Sequence, residues 1–369
     1  MPDLFEKDRA LIFFAKEQTM VENQMEIPMK SAATAQSLKK RGKQAHMHYE
    51  PTELDYEILT YVKEYYLLST WQLVNLHYAK GSKTRASTKL QILSGQSQKT
   101  PAKVYLYREA LERKAPGNPT FVYCLATCGL SYLRRNGYPN LTRRFRPCET
   151  RGLSYLHKLH CLNVNDILIA ARNLSKVSPD ITLAQWRHDF DLQKIPAVVT
   201  FARDLTTSYS GESVQQTVRL VPDGMLDFRL RLYDAKVNEW RRVILFEVDR
   251  GTETNSKKFK EKILAYIHYC LPEGGFEKRY GKTNKRIAYI VTRGGEKRLI
   301  MLRHWCEEVL REQHFEQEQN LFRFTSISQQ TDQDTGSIRE ELAISPTLFV
   351  QPVWYKPFEE EPDTLLWKP

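Results

Sequence analysis

From Leu54 the chain repeats apolar residues at helical spacing. Leu54, Ile58, Leu59, Val62 and Tyr65 fall on one stripe, the mark of an amphipathic helix. Thr52 stands at its start with Asp55 three residues on, a near capping-box arrangement. "STWQLVNLHYA" (69–79) restarts a short helix that buries Leu73, Val74 and Leu76, and Gly81 breaks it. "SKTRASTKLQILSG" (82–95) predicts a third helix, begun near Ser82 and ended by Gly95. The period then changes. "KVYLYREAL" (103–111) and "TFVYCLA" (120–126) read as strands around the Pro/Gly/Asn turn "ERKAPGNP", and a short helix starts at Thr127.

From 153 the order is helix, three strands, helix, strand, helix. The first helix, "LSYLHKLHCLNVNDILIAARNLS", turns Leu156, Leu159, Val164, Ile167 and Leu168 inward. "TLAQWRHDFDL", "QQTVRLVPDGMLDFRLRL" and "EWRRVILFEVDRGTE" are the strands. The next helix, "TNSKKFKEKILAYIHYC", has Phe259, Ile263, Tyr266 and Ile267 on one face. "KRIAYIVT" is a buried strand and "GEKRLIMLRHWCEEVLREQ" a helix. "LFRFTSIS" and "PTLFVQPVWYKP" read as peripheral strands around a polar loop. The expected division is a polar, flexible arm over 1–48, a first domain over 49–140, a basic linker over 141–152, a second domain over 153–320, and peripheral strands and tail over 321–369.

Charge sharpens the reading of the first domain. The 369 residues carry a net +11, and between 80 and 114 nine Lys/Arg stand against two acids. Three helices, a hairpin and a basic third helix make a winged helix-turn-helix, whose third helix enters the major groove of double-stranded DNA. Lys83, Arg85, Ser87, Thr88 and Lys89 occupy the first half of that helix, and Arg113 and Lys114 the hairpin tip, where they would neutralise phosphate. A winged helix used for protein contact is the bland alternative. A homodimer on a palindromic site stays open, with no heptad seam to support it.

Six cysteines form no CxxC pair and no zinc-finger spacing, which suits reduced thiols in the cytoplasm. No apolar stretch reaches the roughly 20 residues a bilayer needs, and charges interrupt the N-terminal apolar residues, so neither a membrane span nor a signal peptide is expected.

Three carboxylates close the two central strands: Asp223 in "LVPD", and Glu247 and Asp249 in "EVD". Glu247 follows "VILF", a run without a polar residue, as in a strand buried on both faces. Glu247 and Asp249 alternate with Val248 and so point to one side, where they repel unless a cation lies between them. A metal, Arg250 or a lysine of the next helix would serve. Asp227, Asp234 and Glu253 read as surface acids.

An acid on the second strand and an acid pair on the third resemble the core of PD-(D/E)XK nucleases, a restriction-endonuclease-like αβββαβ arrangement in an α+β or α/β chain. That resemblance implies Mg²⁺, with Mn²⁺ as a substitute, held by Asp223, Glu247 and Asp249 and used to cut phosphodiesters. The motif's lysine is replaced here by Asp249. Lys257, Lys258, Lys260 and Lys262 are available on the following helix, and Lys262, four residues before Tyr266 on a face that should pack on the sheet, is the expected replacement. Asp189 and His157 are candidates for outer support.

The whole pattern resembles the replication-relaxation family of bacterial plasmids and other mobile elements. The resemblance rests on "STWQLVNLHYA", "FVYCLATCGLSYL", "HKLHCLNVNDILIAA", "LVPDGML" and above all "FEVDRGTE" with "FKEKILAYIHY". It implies a role in plasmid replication or DNA relaxation, an N-terminal DNA-binding domain, and replication or mobile-element proteins as partners. Two function classes follow. One is a metal-dependent DNA endonuclease; the other is a non-catalytic regulator, replication accessory or assembly factor on a degenerate nuclease fold.

Overall fold

The computed structural model describes residues 49–77, 82–97, 103–111, 119–138, 152–204, 213–231, 239–252, 254–331 and 338–366. The 1–48 arm, the linker through 151, and Arg113, Lys114, Asp234 and Glu253 lie outside the described residues. Helices and sheets mix along the chain, an α+β arrangement.

Helix α1 (Glu53–Tyr65) begins at the capping box its sequence announces: Thr52 Oγ1 accepts from Asp55 N, and the Asp55 carboxylate accepts from Thr52 N at 2.7 Å. Strand β1 (Leu68–Ser69), α2 (Thr70–His77) and α3 (Lys83–Leu93) follow, then β2 (Leu106–Ala110), β3 (Phe121–Leu125) and α4 (Thr127–Arg135). The three strands pair antiparallel in the order β1-β3-β2.

Helix α5 (Tyr155–Val177) is capped by Ser154. It buries polar as well as apolar residues, and two of the polar ones tie it to its neighbours. Asn165 Nδ2 donates to the carbonyls of Tyr65 and Leu67. Asp166 accepts from Gln72 Nε2 of α2 and from Leu342 N, both at 2.8 Å. An unpaired amide or carboxylate there would carry a desolvation cost, so these bonds fix how α5 meets its neighbours. Leu156 does not turn inward as its spacing suggests. It lies in the first turn, beyond the sheet, and is 56% exposed.

The remaining elements are β4 (Ile181–His188), the single turn α6 (Asp189–Leu192), β5 (Ala197–Asp204), β6 (Ser213–Leu220), β7 (Gly224–Arg231), β8 (Glu239–Asp249), α7 (Ser256–Cys270), α8 (Gly275–Tyr280), β9 (Asn284–Val291), α9 (Gly295–Glu312), β10 (Phe322–Ser326), β11 (Gln329–Thr331) and β12 (Ile338–Leu342). Five strands form one sheet in the order β10-β9-β8-β7-β4. Strand β7 runs antiparallel to both its neighbours, β4 and β8, whereas β8, β9 and β10 are parallel. Ile244, Phe246, Ala288 and Ile290 share the core of α5, and Val243, Leu245, Ile287 and Val291 share that of α7 and α9. The polar-free run before Glu247 is thus buried on both faces.

Two sequence expectations are corrected. The stretch 215–232 is not one strand. It breaks at Val221–Asp223, where Pro222 has no N–H for a ladder, so β6 pairs with an unforeseen β5 and only β7 joins the main sheet. Gly224 restarts it where a Cβ would stand 2.3 Å from the Phe246 ring. Asp227 is buried, not superficial, and takes the Arg241 guanidinium through both oxygens. Strand β10 is part of the main sheet, as its edge strand beside β9. Beyond it Trp354, Leu365 and Leu366 are buried, and Arg242 Nη1 donates to the carbonyls of Leu365 and Leu366 at 2.6 and 3.1 Å.

Candidate functional site

Pairing of β7 with β8 ends at Gly224 and Phe246, and Asp223 N adds one rung to Phe246 O at 3.0 Å. Past that point β8 has no strand on this side among the described residues. The Asp223 carboxylate takes over: its Oδ2 accepts from Val248 N at 2.7 Å. Its Oδ1 lies 3.2 Å from His160 Nε2 of α5. The break at Pro222 therefore turns an aspartate back across the carboxyl end of β8, between α5 and α7.

Glu247 and Asp249 do share a side of β8, but they serve different helices. Glu247 Oε2 lies 2.6 Å from Lys262 Nζ, and Oε1 accepts from the Tyr266 hydroxyl, both on α7. Asp249 turns to α9, where Arg298 Nε and Nη2 donate to its two oxygens at 2.7 and 2.9 Å. Arg250, an alternative neutralising group by sequence, instead donates to Leu156 O at 2.6 Å and braces the first turn of α5.

Asp223, Glu247, Lys262, His160 and His157 line one cleft of about 610 Å³ at this end of the sheet. Burial pushes the Glu247 carboxyl up to about 7; the Lys262 ammonium opposes this and the Asp223 charge adds to it. Burial also acts to raise Asp223, but the His160 imidazole, Lys262 and the Val248 N–H outweigh it and hold that carboxyl below its usual range. Two carboxylates lining one cleft are thus driven in opposite directions, the pattern of groups with different chemical tasks.

The donor set can be tested against a divalent cation. Each oxygen of Asp223 and Glu247 has one partner and a second lone pair, and two hard carboxylates plus waters suffice for a magnesium-type ion. The fit is therefore to a two-acid site. It is not to a three-acid one: Arg298 engages both Asp249 oxygens, and no group of three or more His, Cys, Asp or Glu that could hold a metal occurs among the described residues.

Of the outer candidates, His157 lines the cleft with its Nδ1 2.8 Å from Ser154 Oγ. Asp189 pairs with His188 and accepts from Phe190 N at 2.7 Å, so it is engaged elsewhere. Sequence reasoning passed over His160, although it lies one turn after His157 on the same helix. It also passed over Arg298, which no local pattern ties to Asp249.

On the N-terminal helices, Arg85 is exposed and Lys83 Nζ rests 4.5 Å above the Trp71 ring. Thr88 Oγ1 donates to Thr84 O at 3.0 Å, and Ser87 is half-buried. Lys89 points inward, 2.9 Å from Asp55 Oδ1 and 2.8 Å from the Tyr49 hydroxyl.

A family model described as replication-relaxation matches residues 59–285. The chain belongs to the replication-relaxation family. The matched stretch runs from within α1 through α8 and holds Asp223, Glu247, Asp249 and Lys262, while Arg298 and the C-terminal segment lie beyond it. Comparisons with curated proteins and with solved structures found no match. No described helix is long and apolar enough to cross a membrane.

Proposed function

We propose that this replication-relaxation protein binds duplex DNA of a plasmid or other mobile element and nicks or cleaves it in a nuclease-like centre. In this reading residues 49–140 are a winged helix-turn-helix with α3 in the major groove, and the five-stranded sheet with α5, α7 and α9 is a PD-(D/E)XK-type core. The observation that carries the reading is the convergence of Asp223, Glu247 and Lys262 in one cleft, with Lys262 Nζ 2.6 Å from Glu247.

Asp223 and Glu247 would hold Mg²⁺ or Mn²⁺, which when bound polarises a phosphoryl oxygen and lowers the pKa of its water. Tyr266 and His160 keep the two carboxylates aimed into the cleft. Lys262, beside Glu247, would offset charge that develops on the phosphate. Asp249 drops out as a ligand and serves as an anchor for α9.

Supercoiled plasmid incubated with the protein and Mg²⁺ or Mn²⁺ tests this. Open circles should accumulate with wild type and not with Glu247→Ala. Equal nicking by the two proteins, or none by wild type, would sink the enzymatic reading. The non-catalytic reading, a DNA-binding regulator or assembly factor, is favoured by one observation: every oxygen of the three acids already has a protein partner.

A further inference from the structure

The cleft is lined on one side by an exposed apolar side chain, Leu156, with a partly exposed tyrosine next to it in the chain. Tyr155 and Leu156, consecutive in the first turn of α5, are 38% and 56% exposed. Leu156 lines the cleft itself, and Tyr155 is close enough to Arg250 for the two to interact electrostatically. Apolar groups scattered singly on a surface need no explanation, but an exposed leucine lining a polar cleft, with a tyrosine beside it near the cleft's Arg250, does. Around them stand cations. Arg250 donates to Leu156 O, and Arg250 and exposed Lys258 line the same opening.

We infer that the strand entering this cleft is single-stranded DNA, with an unpaired base stacked on Tyr155 and Leu156 and its phosphates beside Arg250 and Lys258. The inference rests on reading the cleft as a phosphodiester site and adds which form of DNA it takes. In a duplex each base is stacked inside, and the outer surface is phosphate, sugar and groove edge. Such a surface suits Arg250 and Lys258 but leaves the two apolar side chains uncovered. An unpaired strand offers anionic phosphates and the free face of a base together, and proteins that hold single strands combine a basic groove with flat apolar platforms. The cleft's size agrees. About 610 Å³ admits a nucleotide or two to the buried carboxylates, whereas the roughly 12 Å wide groove of a duplex is itself a surface for protein to enter.

The α1–α4 region is expected to bind duplex through other residues, so the test must separate the two. Binding of labelled oligothymidylate, which cannot pair with itself, is measured by fluorescence anisotropy on the full chain in chelator. A duplex of the same length is measured alongside. The double variant Tyr155→Ser/Leu156→Ser should bind oligothymidylate about tenfold more weakly, the loss of one stacked base, while its duplex affinity stays within about twofold. Leu156→Trp, a larger platform at an exposed position, should tighten oligothymidylate binding. Equal losses on both probes, or no change on either, overturn the inference. Chelator keeps the result independent of cutting. If Glu247-dependent nicking persists while the strand discrimination is missing, the single-strand inference falls and the nuclease reading stands.

Discussion

Lys262 reaches Glu247 from the next helix, its Nζ 2.6 Å from Oε2, while Asp249 is held by Arg298 on the helix after that. Asp249 stands two residues after the acid, the usual place of the motif's lysine. Two helices answer the two acids of this strand: α7 brings a cation to Glu247, and α9 neutralises Asp249.

Lys262→Met should lower plasmid nicking by about 10²- to 10³-fold, the scale of removing one donor aimed at developing charge. Duplex binding in chelator should hold, since Lys262 lines the cleft and is not on α3. Nicking within a few-fold of wild type would remove Lys262 from the chemistry.

Asp249→Ala should act on stability. Both partners are nearly buried, with side-chain exposures of 10% for Asp249 and 8% for Arg298. Removing one partner leaves the other's charge uncompensated, at a cost of about 3 kcal/mol. Urea unfolding should show the midpoint falling, while the cation concentration needed for half-maximal nicking stays put. A shift in that concentration with an unchanged midpoint would return Asp249 to the metal site.

How much of this was legible in the sequence depends on range. The capping box at Thr52 and the buried run before Glu247 are local, and periodicity found them. The acids were visible as strand ends. Their partners were harder: Lys262 lies one helix away and follows from helical spacing, but Arg298 is 49 residues from Asp249 and no period links them. Strand β5 was missed although Val199 and Phe201 are buried and Val198 is 67% exposed, an alternation that the preceding "QKIP" obscures. The tail was underrated because its burial depends on Arg242 bonding to the carbonyls of Leu365 and Leu366, and a backbone acceptor has no sequence signature.

Glu247 gives stability a pH dependence. Burial raises its folded pKa to about 7 from an ordinary 4.5. A raised carboxyl pKa means that its contribution is fully present below the unfolded value and is lost as pH rises through the folded one. In chelator, unfolding free energy should fall by about 3 kcal/mol between pH 4.5 and 7 from this group. Glu247→Gln should flatten that window, and added Mg²⁺ should do so in wild type by favouring the ionised carboxylate. Identical urea-midpoint profiles for wild type and Glu247→Gln would refute the raised pKa.

Arg85 and Lys89 sit four residues apart on α3, and their alanine variants should part company. Arg85 is exposed, so Arg85→Ala should weaken duplex binding and reduce the slope of log affinity against log salt by about one. Lys89 neutralises Asp55, whose side chain is fully buried and accepts from Tyr49 and Thr52 as well. Lys89→Ala strips that carboxylate of its cation and should cost about 1–3 kcal/mol of stability. Its effect on the salt slope should be small, because an ammonium already paired with Asp55 releases few counterions from DNA. Anisotropy titrations at several salt concentrations, with urea unfolding of the same two proteins, read both quantities. If Lys89→Ala lowers the slope as much as Arg85→Ala, Lys89 leaves Asp55 to meet phosphate, and the inward arrangement is that of the unbound protein alone.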